Sequence, residues 1–463
     1  MNGTTCRLCG LALLVLLGAG LVAGPAAADE RDDRISRLEQ QVRQLTQELE
    51  ALRRGGDGGA DVEELARKLD VLAEELERLR GREVAATVPG GEDPEARRRG
   101  LAPAAAKVYR IERGISIGGY GELLYENFDD TTDAGASSGK TDRFDLKRLI
   151  VYLGYKFNDR VLFNSEIEYE HALAGDGEPG EVAIELAYLD FLIDPRANVR
   201  AGMVLVPVGF INELHEPPTF FSADRPQVER NIIPTTWREL GVGVFGESGR
   251  VSYRAYLTTS LDAAGFSSSS GIRGGRQSGA KARAEDLALS GRLDVDVAPG
   301  LLVGVSAFTG KTGQGRTTMG GTPIDGDLTL WDVHAEWRWK GLRARGLWAS
   351  IDLDDADLIS DLVGEPVGSE MSGWYLEAGW DVLWRRGGEQ ELIPFVRRES
   401  FDTLDEVPAA FAGMGLDGER DVTTIGVVYK PIPQVAVKLD FQNFDTTSGS
   451  SVDQWNAALG FMF

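Results

Sequence analysis

The sequence predicts an all-β membrane protein: an antiparallel up-and-down transmembrane β-barrel of about sixteen strands, preceded by an α-helical coiled coil. Three observations predict this. The chain ends in a strand with one greasy face, because Trp455, Ala457, Leu459, Phe461 and Phe463 recur at period two with Gln454, Asn456 and Gly460 between them. From Ile115 onward, long and short connections alternate strictly between apolar-polar strands. The tryptophans fall on or beside those strands, many on the apolar parity, as interfacial girdles require.

The elements follow in order. Residues 1–28 read as a signal peptide: Arg7, an apolar run from Leu11 to Val22, and the small residues Ala26-Ala27-Ala28 before Asp29. Both cysteines, Cys6 and Cys9, lie upstream of that cleavage site, so the mature chain has no thiol or disulfide chemistry. Residues 29–80 read as a periplasmic coiled coil. Ile35, Leu38, Val42, Leu45, Leu49 and Leu52 alternate spacings of three and four, and Val62, Leu65, Leu69, Leu72, Leu76 and Leu79 repeat them. Gly55 to Gly59 separates the two runs, so two helical pieces are expected, as a dimer seam or a self-folded hairpin. Residues 81–114, with Gly, Pro, Ala and the Arg97-Arg98-Arg99 run, read as a flexible linker.

Residues 115–463 supply the barrel. Candidate strands are 115–127, 143–157, 160–170, 181–193, 198–206, 238–246, 251–260 and 285–297, then 301–310, 328–339, 342–351, 372–384, 390–399, 421–430, 434–444 and 452–463. Their connections alternate between tight turns such as Asn158-Asp159 and Lys340-Gly341 and long loops such as 207–237 and 352–371. Sandwiches and propellers have no reason to keep that alternation, whereas up-and-down barrels keep short turns on one side of the membrane. The full chain carries a formal net charge of −24. Residues 114–463 hold 31 basic and 53 acidic side chains, a net of −22, which excludes nucleic acid as a partner.

With the greasy parity toward lipid, the other parity lines a lumen. It holds Glu166, Glu168 and Glu185 together with Arg254, Arg292, Arg338, Arg343 and Arg345, charges of both signs that tune ion passage or stiffen the wall. The loop 207–237 is the longest and most apolar, with Phe210, Phe220, Phe221 and Trp237 among five prolines. Such a loop is expected to fold into the barrel and constrict it. Constriction or solute-binding candidates are then Glu213, Glu216, Asp224, Arg225, Glu229, Arg230 and Arg238.

Residues 143–260 resemble the phosphate-selective porin O and P family of bacterial outer-membrane proteins. The stretches that carry the resemblance are Glu185 to Phe191, Arg200-Ala201-Gly202-Met203, Pro207-Val208-Gly209-Phe210 and Arg238 to Val242. The terminal Phe463 also resembles the C-terminal signature of outer-membrane barrels. The resemblance implies a trimeric channel in the outer membrane whose third loop narrows the pore. The chain departs from the family's phosphate chemistry: Met203 stands where a lysine commonly follows the glycine, and 207–237 sets Arg225 and Arg230 against four carboxylates.

The expected function is passive diffusion of small hydrophilic solutes or ions, phosphate and other anions included, by a homotrimer in outer-membrane lipid. The alternative is a structural envelope tether, with the coiled coil contacting cell wall and the barrel as anchor. An enzyme is not expected. The three histidines, His171, His215 and His334, show no metal-ligand spacing, and no cofactor or metal is implied.

Overall fold

The computed structural model describes residues 94–318, 320–414 and 417–463. The expected signal peptide and coiled coil lie outside the described residues. Among the described residues, those of 94–385 and 390–463 form one compact unit, the barrel.

Among the described residues, sixteen antiparallel strands close on themselves. They are β1 (Gly114–Phe128), β2 (Arg143–Asn158), β3 (Val161–Glu170), β4 (Val182–Asp194), β5 (Ala197–Leu205), β6 (Arg238–Ser248), β7 (Val251–Thr259) and β8 (Leu287–Ala298). The circuit continues with β9 (Leu301–Lys311), β10 (Asp327–Trp339), β11 (Leu342–Leu353), β12 (Glu370–Trp380), β13 (Glu391–Glu406), β14 (Glu419–Ile432), β15 (Val435–Thr446) and β16 (Gln454–Met462). Each strand pairs with its sequence neighbours, and β16 returns to β1 with Tyr120 opposite Met462 and Phe128 opposite Gln454. Closure leaves no unpaired edge, which is what a sheet in lipid must achieve.

The strands stand where the alternation predicts them, with two notable shifts. β12 stops at Trp380 because Asp381 accepts hydrogen bonds from the Leu383 and Leu392 amides, both at 3.0 Å, and turns the chain. Trp384, the last residue of the expected strand 372–384, therefore lies beyond β12. β13 runs on to Glu406 because Phe401 and Thr403 continue its inward face.

The outer face is an apolar belt. Ile117, Val242, Leu293, Val305, Leu376 and Ile425 are all exposed in the isolated chain. Trp331 and Trp348 pack with ring centroids 4.4 Å apart, and Trp348 sits directly opposite Trp374. Trp337, Trp339 and Trp380 form a second exposed row toward the short turns. Contiguous apolar surface around a closed barrel is the signature of a lipid-facing wall.

The inner face carries the charge, and two bulges adjust it. Glu122 pairs Arg148 while Leu123 pairs Leu146, so Lys147 is an extra residue in β2. Glu166 pairs Leu186 while Ile167 pairs Ile184, so Glu185 is an extra residue in β4. Bulges re-aim side chains. Both of these meet the same loop.

The linker expected over 81–114 is corrected for its described part. Residues 94–113 pack inside the barrel at the short-turn end, with helical turns α1 (Pro94–Arg98) and α2 (Lys107–Arg110). Ala96, Leu101, Ala104, Ala105 and Ala106 join the lumenal Tyr120, Tyr152, Tyr188 and Tyr256 in one buried cluster. The small residues that make the stretch look like a spacer are what let it lie close to the wall. A Cβ on Gly118 would stand 2.8 Å from the Ala104 carbonyl, and one on Gly154 would stand 2.7 Å from Val108. At the other end, loop 261–284 and helix α3 (Ala356–Val363) cover the barrel. Leu261, Phe266, Ile272 and Ile359 share a core with Phe210 and Trp237 of the loop 207–237.

Candidate functional site: the barrel interior

The loop 207–237 crosses the lumen and is held along its whole length. Its base is closed by the Val206 amide donating to the Trp237 carbonyl at 3.0 Å, and by Asn212, which bonds both Val206 and Trp237. Trp237 packs on Phe308 with centroids 4.4 Å apart. On the opposite wall Phe221 meets Phe395 at 5.4 Å. The aromatics that made the loop look unsuited to water are therefore its anchors.

Charge fixes the rest of the loop to the wall. Glu213 receives Arg254 at 2.9 Å and lies 3.9 Å from Arg292, and both guanidiniums also hold Asp294. Glu229 accepts from the Tyr375 hydroxyl and the Ile211 amide, each at 2.6 Å. Asp224 receives the bulge residue Lys147 at 2.9 Å and Arg230 at 3.4 Å. His215 lies 3.1 Å from Glu166 and 3.4 Å from the bulge residue Glu185, which Arg238 also contacts at 3.1 Å. Lys430 and Lys438 donate to the Pro218 and Ser222 carbonyls, and Asp440 accepts from the Ala223 amide.

Burial shapes the loop's acids. It pushes Glu229 up to about 7, against the pull of its Tyr375 and Ile211 hydrogen bonds. It pushes Glu216 up to about 8, helped by the nearby Glu166 charge. Burial would raise Asp224 too, but Lys147 and Arg230 outweigh it and hold that carboxyl well below the usual range.

The 94–113 segment bonds both the wall and the loop. The Ala104 amide donates to Glu216 at 3.0 Å, and the Ala105 amide at 3.3 Å. Arg97 pairs with Glu336 and Tyr109 with Asp190, while Arg98 reaches Asp296 at 2.6 Å and Glu247 at 3.4 Å. Asn164 donates to the Ala105 carbonyl at 2.9 Å. Gly100 adopts φ +68°, and a Cβ there would meet a Glu213 carboxylate oxygen at 2.1 Å, so only glycine fits.

A cavity of about 390 Å³ remains between the loop and strands β1 to β3 on the long-loop side. Arg143, Lys147, Arg148, Arg225, Arg230 and Arg273 face it against Glu126, Asp145, Glu168, Glu170 and Asp224. Most of these cations are already engaged: Arg143 by Glu126, Arg148 by Glu122 at 2.8 Å, Lys147 and Arg230 by Asp224, and Arg273 by the Arg230 and Thr235 carbonyls.

The expected site residues therefore divide. Arg225, Arg230, Asp224 and Glu168 border this cavity. Glu213, Glu216, Glu229, Arg238, Arg254, Arg292, Glu166 and Glu185 clamp the loop or the 94–113 segment. Arg338 and Arg345 meet Glu336 at 2.9 and 3.2 Å near the short turns, and Arg343 pairs with Glu391. Glu181, on the same parity as Glu185, is exposed just before β4 begins. Sequence reasoning missed Glu122, Lys147, Arg148, Asp190, Arg200, Arg397, Glu399 and Arg273. The switch in apolar phase from Phe144 to Leu149 was a signal for the first three.

No protein-family model matches the chain. An uncharacterized protein of Aquifex aeolicus (strain VF5) is 39% identical over 376 residues, which cover 79% of this chain and 83% of the relative. Among solved structures, the outer membrane channel DcaP of Acinetobacter baumannii shares 14% identity at a TM-score of 0.50, covering 76% of this chain and 98% of that one. A loop L8 deletion mutant of OmpT, an outer membrane protein of Vibrio cholerae, shares 12% identity at a TM-score of 0.49, over 75% of this chain and 99% of that one. At 14% identity, the DcaP likeness speaks to the barrel fold.

Proposed function

The chain belongs to the same family as the Aquifex aeolicus protein, and we propose that it is an outer-membrane porin, a passive diffusion channel for small hydrophilic solutes or ions. The observation that carries this is the barrel interior. A closed barrel with a lipid-facing belt surrounds a charged lumen, and one long loop crosses it beside a cavity walled by both signs of charge. The 94–113 segment narrows the short-turn end, so the passage is restricted at two levels. In this reading the short turns face the periplasm, where the coiled coil 29–80 resides, and three copies assemble as a homotrimer.

Selectivity is near neutral or weakly cationic. Six cations face five carboxylates around the cavity, and their mutual pairing leaves no cluster free to strip water from phosphate. The −22 barrel adds a diffuse negative field, screened beyond about 8 Å at physiological ionic strength. Zero-current potentials across a KCl gradient test this. A potential near zero or slightly cation-selective is expected. Strong chloride preference with block by millimolar phosphate would replace it with the anion-selective reading, and Arg225 and Arg230 would be the first residues to reverse.

A further inference from the structure

Glu166 of β3, Glu185 of β4 and His215 of the crossing loop bring their ligand atoms within 4.8 Å of one another, and all three side chains are buried. We propose that these residues bind a divalent transition-metal ion of the zinc class, which pins the loop 207–237 to the barrel wall.

The spacing fits such an ion. The His215 Nε2 atom is 3.1 Å from Glu166 Oε1 and 3.4 Å from Glu185 Oε2. Ligands about 2.0–2.1 Å from a tetrahedral zinc stand roughly 3.3–3.4 Å apart, so an ion can enter with small adjustments. The imidazole is set for the task. Its Nδ1 lies 2.9 Å from the Asn212 carbonyl and donates to it, which orients the ring and turns Nε2 toward both carboxylates. His334 differs in its partners: both of its nitrogens meet carboxylates, Asp332 at 2.6 Å and Asp294 at 2.9 Å, and no backbone carbonyl orients its ring.

Two further observations favour an ion at this cluster. The Oε2 atom of Glu166 is buried and accepts no hydrogen bond, although a bare carboxylate oxygen is costly to bury, and that of Glu185 has only the His215 Nε2, 3.4 Å away. Arg238 contacts Glu185 through Oε1 and leaves Oε2 to the cluster. Glu185 is also the bulge residue of β4, turned inward where strict alternation from Leu186 and Tyr188 would send it to lipid. An approach exists, because Glu168, two residues along the same face of β3, borders the 390 Å³ cavity. One imidazole with two carboxylates suits zinc-like ions, whereas calcium and magnesium favour oxygen-only shells with more ligands.

The test uses the folded full-length protein in detergent, stripped with EDTA, reloaded with zinc, desalted and analysed for metal. About one zinc per chain is expected, retained in His171→Gln and lost in Glu166→Gln and His215→Gln. Absence of zinc after desalting, or full zinc content in His215→Gln, would leave the cluster as an ion pair only and overturn the proposal. Should those variants fail to fold, cobalt settles the matter in the unaltered protein. Strong visible d–d bands of a tetrahedral site are expected, and the weak spectrum of hydrated cobalt would refute it. Metal content is read without conductance, so this inference and the channel reading fail independently.

Discussion

Buried charge in this barrel works by mutual engagement, and single residues expose how much depends on it. Arg397 has no exposed surface and serves Glu399 at 2.7 Å and Glu377 at 3.3 Å while donating to Ser222 of the crossing loop. Arg397→Met strands two buried carboxylates and is predicted to destabilise the fold by about 3–5 kcal/mol, read by denaturant unfolding in micelles. An unchanged midpoint would mean water already reaches the cluster. Glu229 makes a pH prediction. Its folded pKa of about 7 lies above its unfolded value of about 4.3, so the native state holds the extra proton between them. The stability this contributes is full below the unfolded value and is lost as pH rises through about 7. Glu229→Gln should flatten that part of the thermal-stability profile. A profile that rises with pH and ignores the substitution would contradict the assignment. Parity made many lumenal charges legible, but it missed Asp190, Arg200, Arg397 and Glu399 on regular stretches of strand, and it is complicated at the two bulges. There the apolar phase switches, from Phe144 to Leu149 in β2 and from Ile184 to Leu189 in β4. The meeting of His215 with Glu166 and Glu185 was not legible, because only the inward fold of the loop brings them together.

The strands were legible as elements because lipid outside and charge inside force period two on nearly every one. β13 obscured it: Ile393 and Phe395 face inward to receive Phe221, so both of its faces carry apolar residues. The 94–113 segment was illegible for a different reason. Its Ala, Gly and Pro content has no period, and the wall and loop residues that hold it are distant in sequence. Gly100→Val forces a left-handed backbone on a branched residue, roughly 1–2 kcal/mol unfavourable, and drives its side chain at Glu213. The variant should loosen this segment inside an intact barrel, seen as new proteolytic cleavage near residue 100 with heat-modifiability retained. Protection equal to the parent would show the segment tolerates the clash. Orientation is also tested at this scale. Residues 29–463 hold no cysteine, so Asp357→Cys, on the exposed side of α3, should label in intact cells while Asp159→Cys at a short turn should not. The reverse pattern would invert the topology.

At the scale of the molecule, three layers explain the architecture: a lipid-facing apolar wall, a charged inner face, and two chain segments threaded through the lumen. The wall requires a membrane, and the inner face requires water or partners of its own. The threaded segments satisfy much of that charge, and in the channel reading what they leave open is a restricted passage. Single-channel recording in a planar bilayer tests this most directly, comparing the full-length protein with a variant lacking residues 94–110. Discrete conductance steps are predicted for the full-length protein, and larger steps for the deletion. A folded, inserted barrel that gives no steps in either form would contradict the channel account.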